Sequence, residues 1–303
     1  MGTIALAVLA GLGVLLAGNL PWIAVLAPAN LRVFPSVPWA IVPMSIYLWF
    51  YWRYIGGKLG PPGSSAMRQA NLRANRLDAD VWPMAILTGL VGLGAVLALV
   101  TLMARLITMP ESAPIALPAG MPPATGVVLL VMASMVAGIT GEAGFRGYMQ
   151  GPIERRYGLA AAVLINGAVF GLLHFSNHPA AAIWMLPYYI AVSAAYGGVT
   201  WAADSILPAL VLHVGGDVWS LTRLWITGRP EWQLSPTAPP LIWDTGADGA
   251  FYVAAIVFIG LTAATVMLCR SLRTLSRERL IGTRVLERAP AGRRADPSDG
   301  SRM

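Results

Sequence analysis

Thr140-Gly141-Glu142-Ala143-Gly144-Phe145-Arg146-Gly147 places two full charges near the end of a run apolar enough to cross a membrane. At mid-bilayer each charge costs about 2.5–3.5 kcal/mol, even on the lenient insertion scale. A chain keeps such charges where they pair or do chemistry. Glu142 and Arg146 are four residues apart, which on a helix puts them on one face within reach of each other. Taken alone, the pair could be no more than an ion pair tying two helices together.

The residues around this stretch set the fold class. Of 303 residues, 56% are hydrophobic and 12% charged, and the mean hydropathy is +0.64. Soluble domains carry roughly 25% charged residues. The chain is therefore expected to be an all-α, polytopic membrane protein. Its start lacks a basic region, and the apolar run continues past Pro21, so it reads as a first membrane helix rather than a cleaved signal peptide. The single cysteine, Cys269, excludes an internal disulfide framework and a cysteine-rich metal site, and reads as a buried thiol at a helix end.

A span needs roughly 20 mostly apolar residues. Eight stretches qualify, at approximately 4–28, 36–55, 81–107, 125–150, 158–176, 180–202, 204–227 and 250–270. They predict about eight transmembrane helices around a central intramembrane polar cavity. The helical membrane domain covers 1–270, with its motif core at 125–220. A basic tail, 271–303, is expected to be partly disordered from about Ala289. No internal repeat is visible.

Arginine and lysine fall unevenly among the loops. Arg53, Lys58, Arg68, Arg73 and Arg76 follow the second stretch, and Arg155 and Arg156 follow the fourth. The loop 108–124 has neither residue type. By the positive-inside rule this pattern places both termini in the cytoplasm of a multi-pass inner (plasma) membrane protein. From Arg270 onward, nine arginines face four acidic residues, a net +5 that makes up most of the chain's +7. The expected partner of that charge is an anionic inner leaflet and not nucleic acid. Leu272, Leu275, Leu280, Ile281, Val285 and Leu286 could form a surface-lying apolar stripe. Arginine used almost to the exclusion of lysine, with abundant Ala, Gly and Val, fits a GC-rich bacterial genome.

Three more polar residues lie in later apolar stretches: His174, His213 and Asp217. Asp217 is one helical turn beyond His213, on the same face. A lone histidine in a span is more often a hydrogen-bonded packing residue than a catalyst. A glutamate, an arginine, two histidines and an aspartate on three spans, however, cannot all face lipid, and they should converge on one interior cavity. Counted at 1.5 Å per residue, Glu142 and His174 lie ~20 and ~25 Å from the Arg156 boundary, and His213 ~14 Å from Asp204. Gly141, Gly144, Gly147, Gly167, Gly171, Gly215 and Gly216 allow close helix approach around these positions. His178, four residues after His174, precedes Pro179, which disfavours helix there, so it is expected to cap the span or sit in the loop.

These residues resemble the intramembrane CPBP proteases, which include the CAAX prenyl endopeptidase Rce1 and abortive-infection or bacteriocin-processing relatives. The family's Glu-Glu-x-x-x-Arg motif is met by Gly141-Glu142-Ala143-Gly144-Phe145-Arg146, its Phe-x-x-x-His by Phe170 and His174, and its His-x-x-x-Asn/Asp by His213 and Asp217. The resemblance implies a peptide or membrane-protein substrate and catalytic roles for Glu142, Arg146, His174, His213 and Asp217. It implies that a glutamate and a histidine activate water while the second histidine and the Asn/Asp position stabilise the oxyanion. It also allows a zinc ion as cofactor, held by His174, His213 and Glu142 with one position open for water. The sequence departs from the family at Gly141, where the first glutamate of the pair, the one that activates water, would stand. In this chain Glu142 would then be the base, and Asp217 would orient His213 or accept a substrate proton. A non-cleaving family member, acting as a membrane binding or immunity protein, is the alternative that Gly141 favours. A proton-coupled transporter would use the same buried groups as a relay.

Overall fold

The computed structural model describes residues 2–111, 115, 117–175 and 181–288, with side chains as far as Arg279. The expectations for His178 and for the chain from Ala289 fall outside the described residues. The chain runs as α1 (Gly2–Leu20), a π-helical turn (Pro21–Leu26) and α2 (Ala27–Val33), then α3 (Ile41–Ile55), α4 (Ser65–Leu72) and α5 (Val81–Leu106). Next come α6 (Pro123–Gly141), a π-helical segment (Glu142–Gln150) and α7 (Gly151–Leu173), followed by α8 (Leu186–Ala203) and α9 (Leu207–Thr227). A single turn, α10 (Ile242–Thr245), leads into α11 (Gly249–Arg288). No strand occurs among the described residues, and the all-α fold class is the observed one.

Among the described residues, four helical runs are long and apolar enough to cross a membrane: Gly2–Val33, Val81–Leu106, Pro123–Leu173 and Gly249–Arg279. The chain is a multi-pass membrane protein, but this measure does not reach the expected eight. The reasons are local. The run Pro123–Leu173 covers two expected stretches, because α7 stays continuous across a kink at Gly158, whose φ of 84° and ψ of 168° no helix allows. Helix α3 has only 15 residues. Helix α9 includes His213, Asp217, Ser220 and Arg223, which lower its hydropathy.

Polar contacts sort the connections into two ends. Arg73 Nε lies 2.8 Å from Asp204 Oδ1 and its Nη1 3.1 Å from Glu154 Oε2. This joins the segment before α5, the start of α7 and the α8–α9 turn. Arg279, late in α11, pairs with Asp80 at the same end. At the other end Arg105 pairs with Asp248 at 3.0 Å, and Trp232 Nε1 donates to the Pro110 carbonyl at 2.8 Å. Thr125 there donates to the Ser36 carbonyl at 2.8 Å. The Lys/Arg-rich connections therefore gather at one end, and the loop 108–124 sits at the other.

The outer surface is apolar. Of the most apolar window of α11, 6% is buried, and Ile256 and Ile259 face outward. Such a surface suits hydrocarbon, where nothing is gained by covering it with charge. Leu272 of the expected surface stripe is instead fully buried with Val81 and Ala85, because α11 continues straight past 270 against α5. Cys269 is a buried free thiol in the same cluster.

Candidate active site

The motif of α6 ends in an unusual backbone. Glu142–Gln150 forms a nine-residue π-helix, and all nine residues are buried. Π-helices are rare, usually single-turn, and often mark functional sites. Close approach of α1 fixes this one. A Cβ built on Gly144 would lie 2.7 Å from the Gly11 carbonyl oxygen, and one on Gly11 would lie 2.7 Å from the Gly144 oxygen. Only two facing glycines let the backbones pass so closely.

Glu142 and Arg146 are both 0% exposed. Arg146 Nη1 lies 3.3 Å from Glu142 Oε1, near enough for charge pairing but off the line of a hydrogen bond. The guanidinium also sits 5.2 Å from the Tyr196 ring centroid and 5.6 Å from that of Phe145. The same Glu142 Oε1 lies 2.7 Å from His213 Nδ1. Since a carboxylate accepts, His213 donates through Nδ1–H. That leaves Nε2 as the lone-pair nitrogen of the neutral ring. Nε2 faces Asp217 Oδ2 at 3.6 Å. The ring is clamped flat on Tyr196, with centroids 5.1 Å apart and planes 9° from parallel.

His174 closes the α7 run. Its Nδ1 donates to the Phe170 carbonyl at 2.8 Å, and its ring lies 4.4 Å from the Phe170 centroid and 5.2 Å from that of Tyr189. His174, His213 and Asp217 all line one cavity of about 1100 Å³. Glu142 and Arg146 do not line it; they stand behind His213. The structure thus brings Glu142, Arg146, His213 and Asp217 into one chain of contacts and sets His174 in the same cavity. Gly141 is part of the cavity wall, and a Cβ there would lie 3.1 Å from His213 Cε1.

Residues 123–219 match the family model described as Type II CAAX prenyl endopeptidase Rce1-like. Over this segment, about a third of the chain, the sequence is similar to the Rce1-like family. No curated protein and no solved structure matches the chain. The Rce1-like segment starts at the first residue of α6 and ends two residues beyond Asp217, so it contains all five residues singled out in the sequence. The family is one of proteases.

The zinc trio drawn from the Rce1-like resemblance does not fit as arranged. Glu142 is spent on His213 Nδ1 and Arg146 and does not line the cavity, so it does not complete a set with the two histidines. The histidines' own Nδ1 contacts are of the kind a metal-binding imidazole also makes. Among the described residues no three His, Cys, Asp or Glu side chains gather closely enough to hold a metal ion.

Sequence reading passed over three cavity residues. Tyr196 and Tyr189, the ring supports of the two histidines, sit in an ordinary apolar helix. Glu231 comes from the loop after α9 and accepts from Tyr188 Oη at 3.0 Å and Ser220 Oγ at 2.8 Å. The one available signal for Glu231 was an acidic residue four residues after Thr227, where α9 ends.

Proposed function

We propose that the protein is an intramembrane endopeptidase, and that His213, oriented by Glu142, is the base that activates water. The observation that supports this most is the 2.7 Å contact between Glu142 Oε1 and His213 Nδ1. A buried carboxylate on Nδ1–H holds the imidazole in one tautomer and stabilises the imidazolium once it forms, as in hydrolytic triads. A glutamate that fails to line the cavity can still act in this way.

Water at Nε2 would lie between His213 and Asp217. As it attacks the peptide carbonyl carbon, its proton passes to Nε2 and the C–O bond forms. Collapse of the tetrahedral species then breaks the C–N bond, and Nε2–H returns the proton to the leaving amine. Arg146 offsets the charge of Glu142 in its buried place. His174 donates Nδ1–H to a carbonyl, so it offers a second N–H to an oxyanion only as imidazolium. Zinc held by His174, His213 and Glu142 would require those side chains to draw together. The membrane is proposed to be the plasma membrane, with the Arg73–Glu154–Asp204 end and both termini cytoplasmic.

The test is hydrolysis of a membrane-embedded peptide by the protein reconstituted in liposomes. His213→Ala and Glu142→Gln should each lower the rate by about 10²–10⁴-fold, the usual contribution of a positioned base. Wild-type rates in those variants would refute the assignment. Gly141 supports a second reading, a non-cleaving binding or immunity protein. Cleavage by neither the wild type nor Gly141→Glu would favour it. Proton uptake by the liposomes would instead favour a transporter.

A further inference from the structure

The polar groups lining the cavity are strongly one-sided in charge. Among the described residues its carboxylates are Asp217 and Glu231, its other titratable lining residues are His174, His213 and three tyrosines, and no Lys or Arg lines it. Among the described residues neither carboxylate has an Arg or Lys within ion-pair distance; Asp217 meets only His213, at 3.6 Å. The two hydroxyl donors on Glu231 orient it without neutralising it. Each carboxylate oxygen keeps further acceptor capacity.

Glu231 is also held firmly. Arg223 donates to the carbonyls of Arg229, Pro230 and Gln233, so the strap 229–233 is bound back onto α9. On the other side of Glu231, Trp232 and Gln233 both donate to the Pro110 carbonyl. Trp232 is buried, with its ring 6.0 Å from that of Tyr188. Ser220 is three residues beyond Asp217 on α9, so Glu231 stands about one helical turn from Asp217 along the cavity wall.

The rest of the wall is apolar and partly open. Leu16, Ile23, Leu97, Leu173 and Trp219 line the cavity and are also exposed at the molecular surface. An occupant entering past them meets apolar side chains together with the two carboxyl groups of Asp217 and Glu231.

We propose that the cavity selects an apolar peptide segment bearing a positively charged side chain, and that Glu231 is the residue that recognises the charge. Glu231 is half-buried with no cation in contact among the described residues, since Arg223 acts on it only at a distance and spends its donors on backbone carbonyls. Such a carboxylate favours a cation over an isosteric neutral group. A neutral occupant would leave that charge without a contacting cation. The proposal rests on the endopeptidase reading for the identity of the occupant.

The test compares two fluorescent apolar peptides, identical except for one arginine or one citrulline, binding to full-length protein in neutral phosphatidylcholine nanodiscs. Wild-type protein should bind the arginine peptide about 10-fold tighter, the scale of one charge-assisted hydrogen bond. Glu231→Gln should bring the ratio close to one, and Glu231→Asp, which keeps the charge, should retain a preference. Equal binding of the two peptides by wild type, or a preference that survives Glu231→Gln, overturns the proposal. Cleavage is followed in the same samples. A cation preference without cleavage sustains this inference and counts against the endopeptidase reading alone.

Discussion

Glu142 serves two partners with one oxygen. Oε1 contacts both His213 Nδ1 and Arg146 Nη1, and every one of these groups is buried or nearly so. Removing one member leaves a charge without compensation, which costs about 3–5 kcal/mol. Glu142→Gln should therefore lower the melting temperature markedly as well as slow cleavage. Replacing both partners by apolar residues, Glu142→Leu with Arg146→Met, should recover most of the stability and none of the activity. Thermal melts and rates on the three proteins check this, and a double variant less stable than Glu142→Gln would contradict it. Position 141 separates shape from charge. A Cβ at 141 crowds His213, which Tyr196 and Glu142 leave little room to retreat. Gly141→Ala should slow cleavage by steric pressure alone. Gly141→Glu carries the same Cβ but adds a carboxylate at the cavity wall, so its initial rate should exceed that of Gly141→Ala. The meeting of Glu142 with His213 and Asp217 was legible in the sequence, because five polar groups on three apolar helices have few places to go. The withdrawal of Glu142 behind His213 was not, since it depends on the π-helical turn of the motif. Residue spacing alone does not distinguish that turn from an α-helix.

Elements take their shape from a few backbone positions. The run from α6 through α7 would be a single rod without Gly158, whose φ of 84° and ψ of 168° lie in a region essentially reserved for glycine. Nothing stands within 4 Å of a Cβ there, so substitution meets backbone strain and no clash. Gly158→Ala should cost about 1–3 kcal/mol, read as a lower melting temperature. Gly144→Ala presents the opposite case. Its helical backbone tolerates alanine, but the added Cβ would press on the Gly11 oxygen at 2.7 Å. It should be destabilising too, and should also slow cleavage by displacing the π-helix that carries Glu142. If Gly158→Ala proved as harmful to the rate per folded molecule as Gly144→Ala, this division between a hinge and a packing contact would fail. The break expected between 150 and 158 is present only as the kink at Gly158, with Arg155 and Arg156 inside the helix before it. The fixed placement of Glu231 was not legible in the sequence, because it comes from hydrogen bonds between a loop and the Pro110 carbonyl, more than a hundred residues away in the chain.

For the molecule as a whole, the two ends differ in chemistry. One end holds Arg73, Glu154, Asp204 and the Asp80–Arg279 pair, together with the Lys/Arg-rich connections. The other holds the strap 229–233 and the contacts of Pro110. If the first end is cytoplasmic, as proposed, Glu231 enters the cavity from the outer side. Cys269, the only cysteine, is buried and should give little background with a membrane-impermeant maleimide. Met67 in α4 is 60% exposed at the first end, and Thr237 is exposed in the loop at the second. In intact cells Thr237→Cys should label and Met67→Cys should not. After the membrane is opened both should label to a similar extent. Labelling of Met67→Cys in intact cells would invert the orientation. It would place the strap, and with it the proposed charge-recognising carboxylate, on the cytoplasmic side.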